Sequence, residues 1–73
     1  MLRTRSAQQA AIETALDALK REGFDADAYP VIRTIEKEDR WVVKFAAREP
    51  RPPGTEVTVY VFRDGRTAIF RGE

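Results

Sequence analysis

Neither cysteine nor histidine occurs in the 73 residues. Without cysteine there are no disulfides, thiolate nucleophiles or thiolate metal ligands, and the redox compartment stays undecided. Without histidine the chain lacks the usual general base near neutral pH and the commonest ligand for zinc or copper. No run approaches the roughly 20 apolar residues that cross a bilayer. Met1, Leu2, Arg3, Thr4 and Arg5 lead into polar Ser6, Gln8 and Gln9, so no signal peptide is read there. The expected location is cytoplasmic, or the envelope if a leader has been removed. A dominant charge is missing as well: 13 Lys and Arg against 12 Asp and Glu leave +1, too little for a whole-molecule field that draws in nucleic acid or an anionic membrane.

What remains is a short chain, 42% hydrophobic, which makes residues 1–73 a single small domain; at about 60 residues such a domain buries only about 60% of the surface its unfolded chain exposes. Ser6, followed three residues on by Gln9, has the form of a capping box. A helix is therefore expected over residues 7–22. Ile12, Leu16 and Leu19 form its apolar stripe, Ala11, Ala15 and Ala18 flank that stripe, and Glu13, Asp17, Lys20 and Arg21 lie on or toward the other side. Gly23 supplies a left-handed stop and Phe24 packs back on the last turn.

Residues 25–30 read as a loop, 31–36 as a first strand and 37–39 as a polar turn. Trp41, Val43, Phe45 and Ala47 then alternate with Val42, Lys44, Ala46 and Arg48. Pro50, Pro52 and Pro53 make 49–54 an extended connection that joins strands. Asp64-Gly65 suits a two-residue type I′ turn. It would pair Arg63 with Arg66, Phe62 with Thr67, Tyr60 with Ile69, and Val59 with Phe70. One face would then carry Val57, Val59, Val61, Ala68 and Phe70; the other would carry Thr58, Tyr60, Phe62, Thr67, Ile69 and Arg71. The expected fold is α+β, one N-terminal helix packed on one face of a three- or four-stranded antiparallel sheet. The valine-rich face, with Trp41, Val43 and Phe45, lies under the helix.

The opposite face is the candidate site. Tyr60, Phe62 and Ile69, beside Val42 and Ala46 and rimmed by Lys44 and Arg71, make a larger apolar group than scattered surface residues do. Aromatic residues and Arg are enriched in interface cores. The partner-binding residues expected are Val42, Lys44, Tyr60, Phe62, Ile69 and Arg71, meeting a protein partner or a second copy in a homodimer. The bland alternative is that long arginine stems shield the face. A nucleic-acid reading is the lesser one, since rings on a sheet stack unpaired bases while cations contact phosphate, but the second half of the chain interleaves its cations with acids and holds a surplus of only two.

Other chemistry is weak. Asp25, Asp27, Tyr29 and Glu36 mimic the first, third, fifth and twelfth places of a calcium loop, but Pro30 stands where the loop needs glycine. Ser6 has no histidine to activate it and is explained as a cap. The carboxylate pairs Glu38 with Asp39 and Glu49 with Glu56 flank turns, with no apolar pocket to raise a pKa. The chain is read as no enzyme, with no cofactor and no metal.

The alanine-rich helix (Ala7, Ala11, Ala15), the stretch Arg40-Trp41-Val42-Val43-Lys44-Phe45, the segment 54–62 and the turn Arg63-Asp64-Gly65-Arg66 together resemble the PepSY domain family. In that family a helix is followed by antiparallel strands ending in a similar turn. The resemblance implies a domain that binds or restrains a partner protein, as in peptidase propeptides and bacterial envelope proteins. Trp41-Val42-Val43, a Gly-containing loop and a strand-Asp-Gly-strand end are also similar to small NTF2-fold immunity proteins. Both resemblances imply protein binding and neither implies a catalytic residue.

Overall fold

The computed structural model describes residues 6–48 and 56–71; the proline-rich connection expected over 49–54 lies outside them. Helix α1 spans Ala7–Arg21. The Ser6 half of the expected capping box is in place, the Ser6 hydroxyl accepting from the Gln9 backbone N–H at 3.0 Å. At the other end Gly23, at φ 89°, lets the Phe24 N–H reach back to Leu19 O at 2.9 Å while the Gly23 N–H reaches Lys20 O at 3.1 Å, closing a Schellman turn. The loop after it holds one short 3₁₀ turn, Ala26–Ala28, whose Asp25 cap accepts from the Asp27 N–H.

Four strands follow: β1 Val31–Glu36, β2 Arg40–Ala46, β3 Val57–Phe62 and β4 Thr67–Arg71. They form one antiparallel sheet in chain order, with α1 packed on one face over β2, β3 and β4. Val43, Phe45, Val57, Val59 and Val61 meet Ala11, Ala15, Ala18 and Leu19 in the core. Complete burial of Phe45, Leu19, Val43 and Val59 stabilises the fold by about 1.5–3 kcal/mol per side chain.

The helix is rotated from the expected setting. Ala11, Ala15 and Ala18 point straight at the sheet with Leu19, and Ile12 and Leu16 pack at the margin of the core. Small side chains at the centre let the helix axis approach the valines, and the branched residues fill the widening gap beside it.

The β3–β4 hairpin differs by one residue from the expected pairing. Val61 faces Thr67, Tyr60 faces Ala68, Val59 faces Ile69 and Thr58 faces Phe70. The loop has three residues, because the Phe62 N–H donates to Arg66 O at 2.8 Å and the Gly65 N–H to Phe62 O at 3.0 Å. A type I′ turn demands positive φ at both central residues, of which only one is glycine here. The three-residue loop demands it once, and Gly65 supplies it at φ 93°. A slip of one residue sends every side chain of a strand to the other face. Ala68 and Phe70 therefore join Tyr60 on the open side, and Thr67, Ile69 and Arg71 join the valines.

Candidate functional site

The face away from α1 is covered by no other described element. In antiparallel pairs the residues directly opposite share a face, so the registers assign its members: Val31, Arg33 and Ile35 from β1, Arg40, Val42, Lys44 and Ala46 from β2, Thr58, Tyr60 and Phe62 from β3, and Ala68 and Phe70 from β4. Of the residues expected at the site, Val42, Lys44, Tyr60 and Phe62 are here. Ile69 and Arg71 are not. Ile69 packs against the core beneath the helix, and the Arg71 guanidinium lies 4.9 Å from the centre of the Phe24 ring, itself edge-on to Tyr29 at 6.4 Å.

Phe70 takes the place that Ile69 was given. Tyr60 stands 4.8 Å from Phe70 and 6.2 Å from Phe62 between ring centres, so three rings from two strands form one cluster. Arg40 lays its guanidinium 4.8 Å from the centre of Tyr60 and 5.5 Å from that of Phe62; Arg66 approaches Phe62 at 6.0 Å. Both arginines are also tied locally, Arg40 to Asp39 at 3.0 Å and Arg66 to Asp64 at 2.7 Å. Cation–π contacts of this kind contribute roughly 0.5–1 kcal/mol at exposed sites. Val42 and Ala46 are buried although no element lies above them, because Val42 sits between Ile35 and Tyr60 and Ala46 lies beside Val31.

Every charge at a strand position of this face is positive: Arg33, Arg40 and Lys44. Lys37 and Arg66 extend the set at the turns, since the Lys37 N–H donates to Arg40 O at 2.8 Å and Arg66 pairs with Phe62. Arg33 stands directly opposite Lys44. Like charges in that position oppose sheet formation, and the Lys37 and Arg40 rung repeats the arrangement one residue beyond β1. Near neutrality of the whole chain hides this local run of cations. The helix side mixes the acids Glu13, Asp17, Glu22 and Glu36 with the cations Lys20, Arg21 and Arg71, and the nearest acids on the open side are the turn residues Glu38, Asp39 and Asp64 and, ahead of β3, Glu56.

A recess of about 410 Å³ opens at the turn end of the face, lined by Lys37, Glu38, Asp39, Arg40, Val42 and Tyr60. Arg63 braces this end from the last hairpin, its Nε donating to Glu38 O at 2.6 Å, its Nη2 to Lys37 O at 3.3 Å, and its backbone N–H to Asp39 O at 3.3 Å. In the β3–β4 turn the Arg66 backbone N–H, followed by the Arg66 side chain, holds the Asp64 carboxyl below its ordinary pKa. The calcium-like window carries no ligand set: among the described residues no group of three or more His, Cys, Asp or Glu could hold a metal. No helix among them is long and apolar enough to cross a membrane.

Sequence reasoning missed Phe70, Ala68, Ile35 and Arg40. Ile35 and Arg40 were within reach, because pairing the first two strands across residues 37–39 and extending the alternation puts both beside Val42. Phe70 was not, because its face depends on the loop geometry of Gly65. The chain matches no family profile, no curated protein and no solved structure.

Proposed function

We propose that the chain is a non-catalytic interaction module that engages a partner protein through the open sheet face. The observation that carries this reading is the cluster Tyr60, Phe62 and Phe70, continuous with Val42 and Ile35 and crossed by the Arg40 guanidinium. Aromatic residues stacked with Arg make the anchors on which interfaces concentrate their energy, and on this face Phe70 and Ile35 stay exposed while Tyr60 and Phe62 are half-buried. The resemblances to PepSY domains and small immunity proteins point the same way. A second copy is the weaker occupant, since two such faces brought together oppose Arg33, Lys37, Arg40, Lys44 and Arg66 of each to those of the other.

Tyr60→Asp and Phe62→Asp are expected to leave helix content intact and to abolish association, while Asp17→Asn on the helix changes neither. Sedimentation alone and with lysate of the source cell reads this; a profile unchanged by both Asp substitutions refutes it. Charge of one sign beside rings also favours a second reading, single-stranded nucleic acid, in which cations hold phosphate and rings or guanidinium planes stack bases. Its signature is retention on a polyanion column that weakens steeply with salt as counterions are released.

A further inference from the structure

The two edges of the sheet are unequal. Helix α1 leans over β4, and the C-terminal part of the helix borders a recess with Thr67 and Ile69. Strand β1 meets the helix through Gln8 and Thr34 but lies outside the main cover, and no other described strand pairs with its outer edge. Two of the three exposed large hydrophobic residues among the described residues are on it, Ile32 at 39% and Ile35 at 41%, one on each face. Its six residues pair with β2 without a bulge, and it has no proline within it, so it lacks those devices by which natural edges resist pairing.

The direction of its free backbone groups follows from the ladder. The Lys37 N–H donates to Arg40 O, and the Arg63 N–H to Asp39 O. Antiparallel alternation then turns the N–H and C=O groups of residues 31, 33 and 35 toward β2 and those of Ile32, Thr34 and Glu36 outward. The Thr34 hydroxyl is engaged from the helix by Gln8 Nε2 at 2.7 Å, which holds the middle of the strand in place. On the open face the same strand presents Arg33 and, at its end, Lys37, for which no anionic partner is seen among the described residues.

We propose that the free edge of β1 takes up an extended acidic segment of a partner protein as a fifth strand, antiparallel to β1, with carboxylates on the open face, among them those opposite Arg33 and Lys37, and apolar residues on the helix face, one of them opposite Ile32. Main-chain hydrogen bonds to Ile32, Thr34 and Glu36 supply affinity, and the two faces of the added strand supply selectivity. Carboxylates there relieve the Arg33 and Lys44 repulsion that the isolated sheet carries. A second copy fits the edge poorly. Of the two-fold registers that preserve the faces, one sets Arg33 opposite Arg33, one sets Arg33 opposite Lys37, and the one centred on Thr34 leaves the two Arg33 residues diagonal neighbours.

This inference names the partner of the interaction module and rests on that reading, but its test acts on the edge and leaves the rings alone. The probe is a short capped peptide alternating valine and glutamate, titrated into the full chain by calorimetry or fluorescence, with two N-methylated forms. Valine amides point at β1 in the proposed register and glutamate amides point away. Methylation on valines is expected to weaken binding more than about ten-fold through the lost hydrogen bonds, and methylation on glutamates to leave it within about three-fold. Arg33→Glu is expected to reverse the preference toward a valine and lysine peptide. Tyr60→Asp should leave peptide affinity within about two-fold even where it abolishes partner association. No binding of the parent peptide, equal loss from both methylated forms, or displacement by an oligothymidylate that binds more tightly would each overturn the proposal; the last would assign the cations to nucleic acid.

Discussion

Phe45 and Phe70 are the same residue on opposite faces of one sheet, and they are held by different physics. Phe45 is fully buried between β2 and the helix, whereas Phe70 is 49% exposed and leans on Tyr60 at 4.8 Å. The helix-covered face is a dry core of valines and small helix residues. The open face is built from rings, cations and long aliphatic stems that shelter one another. The first stabilises the molecule; the second leaves apolar surface and unbalanced charge for something else to meet.

The contrast breaks most visibly under truncation. Phe45→Ala is expected to cost about 3–5 kcal/mol, a large part of the roughly 4–11 kcal/mol that a chain of this size commands. Phe70→Ala should cost under about 1 kcal/mol, within the ordinary range for surface changes, and urea denaturation of both variants gives the ratio directly. Equal losses would mean that the open face is itself a core. Gly65→Ala tests the loop that sorts β4 between the faces. A side chain at φ 93° costs about 1–2 kcal/mol, although open space surrounds the position, and a thermal melt should show the loss without a change in fold.

Charge offers a finer probe. Arg33→Glu turns the like pair with Lys44 into an opposite one, and the expected gain is roughly 0.2–1 kcal/mol, shrinking as salt is raised. A loss would show that Arg33 supports the fold in some other way. The smallest effect concerns Asp64. Its folded pKa lies below the ordinary value, so the ionised carboxylate favours the folded turn at pH values above that ordinary value, and the benefit fades as pH falls through the lowered one. The stability gap between the wild type and Asp64→Asn should narrow to nothing over that acid window; a gap constant with pH would remove the carboxylate from the account.

Much of the architecture was legible in residue order. Ser6 and Gly23 mark the helix ends because capping is local chemistry. The period-two pattern of β2 and β3 separates Val43, Phe45, Val57, Val59 and Val61 from Val42, Lys44, Tyr60 and Phe62, since adjacent side chains on a strand must point opposite ways. Four of the six expected site residues therefore lie on the open face. The two that do not, Ile69 and Arg71, share one cause: Asp64-Gly65 satisfies two loop lengths about equally well as text, and the lengths differ in which face each β4 residue takes.

Chain chemistry alone thus settled the helix caps, the alternation along β2 and β3 and the absence of thiol and imidazole groups, because those depend on neighbours within a few residues. Tertiary structure decided the rest. It rotated the helix so that alanines meet the valines, chose the three-residue loop that carries Phe70 to Tyr60, and set Arg33 opposite Lys44. Each of these depends on how distant segments fit together, and close packing resolves alternatives that local preferences leave nearly equal in energy.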